Sequence, residues 1–422
     1  MKVLVVGGGG REHTICWKLK QSPKVTELYC APGNGGIAEI ATCVPIKATE
    51  IEKIADFAEQ EKIDLTVVAP DDPLVMGLVD LLESRGLRAF GPRANAAIIE
   101  GSKVFSKELM KKYNIPTAAY EVFTEPEKAI EYIKAKGSYP AVIKAEGLAL
   151  GKGVIIAKDE AEAVAGVKEI MEDKKFGDSG NRVVIEEFLT GPEVSVLAFT
   201  DGKTMRPMVS AQDHKRAYDN DQGLNTGGMG TFSPSRIYTP EMEKECMENI
   251  FLPTMNAMNA EGRTFKGVLY FGLMSTKDGV KVIEYNCRFG DPETQVVLPR
   301  LQGDLLEIFE AIIDERLGEV DINWKDGGCV CVVAASGGYP EKYESGKEIT
   351  GIADAEAMDN VTVFHAGTKA EDGKIYTAGG RVLGITALAD SLDSAIELAY
   401  KAVDKVHFDK MHFRHDIGIK KY

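Results

Sequence analysis

The stretch Lys281-Val282-Ile283-Glu284-Tyr285-Asn286-Cys287-Arg288 decides how the chain is read. It has the alternation of a β-strand, and a period of two puts Glu284, Asn286 and Arg288 on one face and Ile283, Tyr285 and Cys287 on the other. Oxygen ligands from a carboxylate and an amide suit Mg²⁺ or Mn²⁺ bridging nucleotide phosphates, and a guanidinium beside them suits a phosphoryl group in transfer. The bland alternative is a solvated strand face. Asp291-Pro292-Glu293-Thr294 ends the strand at once, so its end opens into a cleft instead of running across an exposed sheet.

Upstream, Lys144-Ala145-Glu146-Gly147-Leu148-Ala149-Leu150-Gly151-Lys152-Gly153-Val154 joins two apolar segments through glycines. A P-loop would have four residues between its glycines and Ser or Thr after the lysine; here three intervene and Gly153 follows Lys152. Between two strands, such a loop reads as a flexible flap over phosphates, with Gly147, Gly151, Lys152 and Gly153 at the nucleotide. Lys144 at a strand end and Lys103 at a helix start behind Ser102, a candidate N-cap, are the phosphate partners. Either lysine alone would read as solvated; their coincidence with the Glu-x-Asn strand gives them weight.

A second glycine run, Gly7-Gly8-Gly9-Gly10-Arg11-Glu12-His13, lies between a strand and a helix, where free N–H groups and the helix dipole favour an anion. The dinucleotide fingerprint needs a third glycine, which falls on Glu12 counting from Gly7 and on His13 counting from Gly8. A single phosphate held by the turn and Arg11 fits better; a turn used only for packing is the alternative.

Around these motifs the first hundred residues alternate short apolar strands (Val3 to Val6, Glu27 to Cys30, Leu65 to Ala69) with amphipathic helices, a βαβ pattern with a parallel sheet. We divide the chain into residues 1–101, an N-terminal substrate-binding βαβ domain; 102–325, with an α+β lid over about 119–192; and 326–422, a compact α+β domain after the break at Asp326-Gly327-Gly328. Its last helix, after Ser391, carries Ala395, Ile396, Ala399, Ala402 and Val403 at helical spacing. At 422 residues with 44% hydrophobic content, several cores are expected. The net charge of -15 argues against a nucleic-acid or membrane binder, since polyphosphate surfaces recruit clustered Lys and Arg. Seven cysteines without a CxxC pair read as buried thiols in a reducing compartment; with no apolar run near 18 residues, the cytoplasm is expected.

Lys103, Lys144 with its glycine flap, Val184-Ile185-Glu186-Glu187-Phe188-Leu189 and Glu284-x-Asn286, in this order, resemble the ATP-grasp superfamily. Within it the chain is similar, nearly end to end, to the phosphoribosylamine-glycine ligases. The strings that carry this include Gly9-Gly10-Arg11-Glu12-His13, Ala31-Pro32-Gly33-Asn34, Glu100-Gly101-Ser102-Lys103, Gln212-Asp213-His214-Lys215-Arg216, Asn286-Cys287-Arg288-Phe289-Gly290-Asp291-Pro292-Glu293-Thr294 and Gly379-Gly380-Arg381-Val382.

The resemblance implies an ATP-grasp fold, α/β and α+β in several domains, and ligation of glycine to phosphoribosylamine through a glycyl phosphate, with Mg²⁺ or Mn²⁺. It implies that Glu186, Glu187, Phe188 and Leu189 form the hinge at adenine, where the local reading of both glutamates is an exposed strand end. It further implies Glu193 at the ribose, Glu284 and Asn286 at the metal, and Lys144 and Arg288 at the chemistry. Asp213, Lys215, Arg288 and Asp291 would face glycine or the growing intermediate, with Gly9, Gly10, Arg11, Asn34 and Asp71 toward the amino sugar. A monomer or weak homodimer is expected. The family's Gly-Pro-Glu is here Ala69-Pro70-Asp71, Glu146 and Leu150 stand for Asp and Ala in the flap, and Gly272 stands where a second metal carboxylate is common. Another ATP-grasp carboxylate-amine ligase and a non-catalytic nucleotide-binding regulator are the rival readings.

Overall fold

The computed structural model describes residues 1–148 and 153–419. The N-terminal strands Lys2–Gly7, Glu27–Pro32, Thr42–Cys43, Leu65–Val68 and Ala89–Phe90 form one parallel sheet, ordered third, second, first, fourth, fifth. Val3, Leu4, Val5 and Val6 are all fully buried because both faces of this sheet are covered. Val3 and Val5 pack in one core with Ile15 and Leu19 of helix Gly10–Leu19. Leu4 and Val6 pack in another with Ile54 and Ala58 of helix Ile51–Gln60.

The next unit hangs on helix Lys103–Lys112, whose N-cap is Ser102: its hydroxyl accepts from the Phe105 amide at 3.1 Å. Beyond it a four-stranded antiparallel sheet runs in the order Tyr120–Phe123, Val183–Glu187, Ala141–Ala145, Val154–Ala157. Helices Pro126–Lys136 and Glu160–Met171 close a small core of their own on it, built on Ala129, Ile133, Ile143, Ala163, Val167 and Ile170. A separate antiparallel sheet follows: Met205–Pro207, Glu193–Thr200, Gly267–Thr276 and Gly279–Asn286.

The polar, glycine-rich connection after Thr200 reads in sequence as a link. Two pieces of it, Gln212–Asp213 and Gly230–Ser233, instead join Gly328–Ser336, Arg381–Ala389 and Val361–His365 in the C-terminal sheet. These strands are too short for a hydrophobic period to register, and Gly230 enters at a φ of +154° beside Ile417, where a Cβ would stand 2.7 Å from Ile417 Cδ1. The sheet therefore crosses the division drawn at 325 and 326 in the chain. Helix Leu392–Val403, capped by Ser391, lies on this sheet through Ala395, Ala399, Ala402 and Val403. No helix among the described residues is long and apolar enough to cross a membrane, and all seven cysteines are free thiols, six of them buried.

N- and C-terminal units meet at two histidines. The His365 amide donates to His13 Nδ1 at 2.7 Å, so His13 must be neutral, and burial lowers its pKa from 6.5 to about 3. His365 falls to about 4 for the same reason. Both folded values lie below the unfolded one, so the stability they confer is complete above about pH 6.5 and is lost as pH falls toward 4 and 3. Urea midpoints measured from pH 7 to 4 should fall, and His13→Gln should flatten the decline; an unaltered slope would remove this pair from the acid response.

Candidate active site

Between the N-terminal sheet, the lid and the C-terminal sheet lies a cleft of about 890 Å³. Its wall is the strand Gly279–Asn286, but the alternation expected there is interrupted. Gly272 pairs with Glu284 while Leu273 pairs with Val282, so Ile283 is an extra, bulged residue. Val282 thereby joins Tyr285 and Cys287 in the core, and Ile283 lines the cleft with Glu284, Asn286 and Arg288. The expected placement of Ile283 on the far face is corrected by this bulge. Gly272 also has a local reason: a Cβ there would come within 3.1 Å of Glu284 Cγ.

Lys144 and Glu186 are not solvated. Lys144 Nζ lies 3.0 Å from Glu186 Oε1, and Lys107 Nζ lies 3.1 Å from Oε2 of the same carboxylate, all three side chains being at most 7% exposed. The local view of Glu186 as an exposed strand end is thus overturned: antiparallel pairing of Val183–Glu187 with the strands on either side carries it into the interior. Desolvation lowers Lys107 to about 8. It lowers Lys103 too, against the pull of Glu284. Lys103 Nζ donates to the Gly147 carbonyl at 2.9 Å, and Glu146 is held by Ser102 and Arg182, so the described start of the flap is tied to the lysine helix. Gly151 and Lys152 lie outside the described residues. Gly153, Phe188 and Leu189 line the cleft, as does Glu187, whose carboxylate accepts from the Ala119 amide at 3.0 Å.

Charge is concentrated on the opposite side. Lys215 Nζ sits 3.3 Å from Glu193 and 3.5 Å from Glu284. Glu193 foremost, then Glu284, hold its ammonium well above the ordinary lysine range. Burial opposes ionisation of Glu284, yet Lys215, Lys144, Lys103 and Arg288 together keep its carboxyl below its usual value. Burial and neighbouring Glu293 push Asp213 well up. Asp291 is held low, against its burial, by Arg381 and Arg11. Arg288 Nη2 donates to Glu100 at 2.8 Å.

The first glycine loop brings its own anion. Glu12 Oε2 accepts from the Gly9 amide at 2.7 Å, and its Oε1 accepts from Arg11 Nε at 2.6 Å. Gly10 is packed where a Cβ would stand 2.5 Å from Gln295. Asn34 is spent on structure, donating to the Gly8 and His365 carbonyls and accepting from Gly36 and Ile37. Of the expected amino-sugar set, Arg11 and Asp71 line the cleft, and Gly9, beside Asp291, Gly10 and Asn34 do not. Glu100, Lys107, Glu293 and Arg381 are the additions. Lys107 had a signal in its spacing, one helical turn after Lys103; the other three lay inside the quoted family strings without a role.

Among the described residues no group of three or more His, Cys, Asp and Glu could hold an ion unaided. Glu284 and Asn286 offer two hard oxygens, which fits a magnesium-like ion that takes its other ligands from phosphates and water.

A small antiparallel lid, two lysines lining one cleft and a Glu-x-Asn strand make the arrangement of an ATP-grasp enzyme, and residues 101–294 match the phosphoribosylglycinamide synthetase ATP-grasp (A) domain. Residues 1–100 match the N domain and 329–420 the C domain of the same synthetase, so the chain belongs to the phosphoribosylglycinamide synthetase family, whose members are carbon-nitrogen ligases. It is 50% identical to the phosphoribosylamine-glycine ligase of Caldanaerobacter subterraneus over 418 residues, 99% of each chain. The crystal structure of the Thermotoga maritima phosphoribosylamine-glycine ligase superposes with a TM-score of 0.84 at 34% identity, over 99% of this chain and 100% of that one. The biotin carboxylase domain of Hydrogenobacter thermophilus 2-oxoglutarate carboxylase, solved with MgADP and bicarbonate, shares the fold at a TM-score of 0.74 and 16% identity, over 98% of this chain and 91% of that one.

Proposed function

We propose that the chain joins glycine to 5-phosphoribosylamine in purine synthesis, using ATP and passing through glycyl phosphate. The observation that carries the reading is the convergence of Lys103, Lys144, Glu284, Asn286 and Arg288 on one cleft. A glycine carboxylate oxygen attacks the γ-phosphorus and ADP leaves. The amine nitrogen then attacks the acyl carbon, phosphate departs, and the nitrogen loses a proton to give the amide.

In this reading no side chain acts as a nucleophile. Lys103 and Lys144 hold the nucleotide phosphates, with Gly147 and Gly153 beside them, and the nucleotide roles expected of Gly151 and Lys152 belong to the same flap sequence. Glu186, Glu187, Phe188 and Leu189 supply backbone groups to adenine, and Glu193 meets the ribose. Glu284 and Asn286 would hold Mg²⁺ or Mn²⁺, whose charge offsets that of the phosphates. Arg288 neutralises the carboxylate being phosphorylated. Asp213 and Asp291 suit the glycine ammonium, Lys215, which bridges Glu284 and Glu193, faces glycine or the growing intermediate, and Arg11 with Asp71 faces the amino sugar, Arg381 adding a cation on that side. Gly9, Gly10 and Asn34 shape the loop behind Arg11. The same reading makes the protein a cytoplasmic monomer or weak homodimer.

With phosphoribosylamine generated in situ, ADP release should require both glycine and the amino sugar, and glycinamide ribonucleotide should accumulate in step with ADP. ADP release from folded protein that ignores glycine would point to another acceptor; no release at all would point to a nucleotide-binding regulator.

A further inference from the structure

We propose that Glu100 is a positioning residue: its carboxylate fixes the Asn286 amide with the oxygen toward the nucleotide's metal ion and holds Arg288 beside it. This deepens the reading above and rests on Asn286 being a metal ligand.

Glu100 is 6% exposed, near the end of helix Ala94–Gly101, and comes from a different element than the strand it serves. Its Oε1 accepts from Asn286 Nδ2 at 3.0 Å and from Arg288 Nη2 at 2.8 Å, while Oε2 accepts from the Cys287 amide at 2.7 Å. One carboxylate thus takes donors from three successive residues, the last of the functional strand and the two that follow it. Asn286 Nδ2 also donates to the Tyr285 carbonyl at 2.9 Å. Both N–H bonds of the amide are therefore directed at oxygens, and the reversed amide would set Oδ1 against those same two oxygens. The orientation follows from the partners, and it leaves Oδ1 as the atom free to ligate. A carboxylate serving only to stabilise the helix end would satisfy donors without deciding which atom of Asn286 meets the ion.

Glu100→Gln keeps the volume but brings an NH₂ group among three donors. With its oxygen kept by the Cys287 amide, a backbone donor that cannot turn, its NH₂ faces Asn286, and reversal of Asn286, which turns that residue's own NH₂ toward the ion, relieves the clash. Second ligand layers of this kind set metal affinity by about 10- to 100-fold. Mn²⁺ binding to the full chain with ADP, followed by the electron paramagnetic resonance of free Mn²⁺, should weaken by about that factor. Metal-free ADP binding by calorimetry should stay unchanged.

Adding Asn286→Asp to Glu100→Gln supplies an oxygen on both sides of residue 286. It should restore Mn²⁺ affinity while turnover stays low, because Arg288 still lacks its carboxylate. Glu100→Asp, which keeps the charge but is one methylene too short for Asn286, gives the same loss of Mn²⁺ affinity should the glutamine variant fold poorly.

Unchanged Mn²⁺ affinity in both Glu100 variants, or a double variant no better than Glu100→Gln, overturns the proposal. Asn286→Ala separates the two layers. If Asn286→Ala weakens Mn²⁺ binding and the Glu100 variants do not, only the positioning role falls; if Asn286→Ala leaves Mn²⁺ binding intact, the metal reading falls with it.

Discussion

Arg288→Ala should lower turnover by about 10²- to 10³-fold, the range seen when one preorganised donor to developing charge is removed, and should leave ATP affinity nearly intact. The guanidinium is partly buried, tied to Glu100, and aimed into the cleft past the Glu284 and Asn286 positions. The lysines that hold the nucleotide, Lys103 and Lys144, do not depend on it: Lys103 is anchored on Gly147 and Lys144 on Glu186. Arg288→Lys should rescue little, since a point charge cannot serve Glu100 and a ligand with the fixed fork of a guanidinium. Steady-state ADP release paired with calorimetric ATP binding checks both halves. Native turnover in Arg288→Ala would take the residue out of the chemistry.

Glu186→Gln should have the largest effect on stability. It leaves Lys107 and Lys144 facing one neutral amide in a site where all three side chains are at most 7% exposed. Removing one partner of a buried ionic group costs about 3–5 kcal/mol, because the charges left behind keep their desolvation penalty. Part of that loss is recovered as Lys107, already lowered to about 8, gives up its proton, so the defect should shrink on moving from pH 7 to 9. Denaturant titrations of the full chain at the two pH values test this. An equal loss at both would mean that Lys107 does not titrate in that window.

The local reading was most secure where a short segment defines its own chemistry. The parallel N-terminal sheet is visible because its strands are apolar on both faces, and the Ser102 cap because a hydroxyl before a periodic run bonds within its own turn. Glu284, Asn286 and Arg288 were placed on a common wall by alternation, which survives on their side of the bulge. Ile283 was misplaced because a bulge arises from how two strands register, and neither strand alone carries that information. The first glycine loop shows the converse. Its residues were correctly seen as a strand-to-helix turn, but Glu12 folds back onto the Gly9 amide and Arg11, so the anion at this helix start includes a side chain of the protein itself.

By itself, then, the sequence determined the class of chemistry: two lysines, a glycine flap and a Glu-x-Asn-x-Arg strand are local patterns whose ligands follow from residue type and spacing. Only the tertiary structure decided what those groups answer to. Glu100 and Arg288 are 188 residues apart in the chain, Lys144 and Glu186 are 42 apart, and His13 and His365 are 352 apart. Contacts at such separations depend on how sheets and lid pack, and no period or motif within a segment encodes which buried charge will meet which.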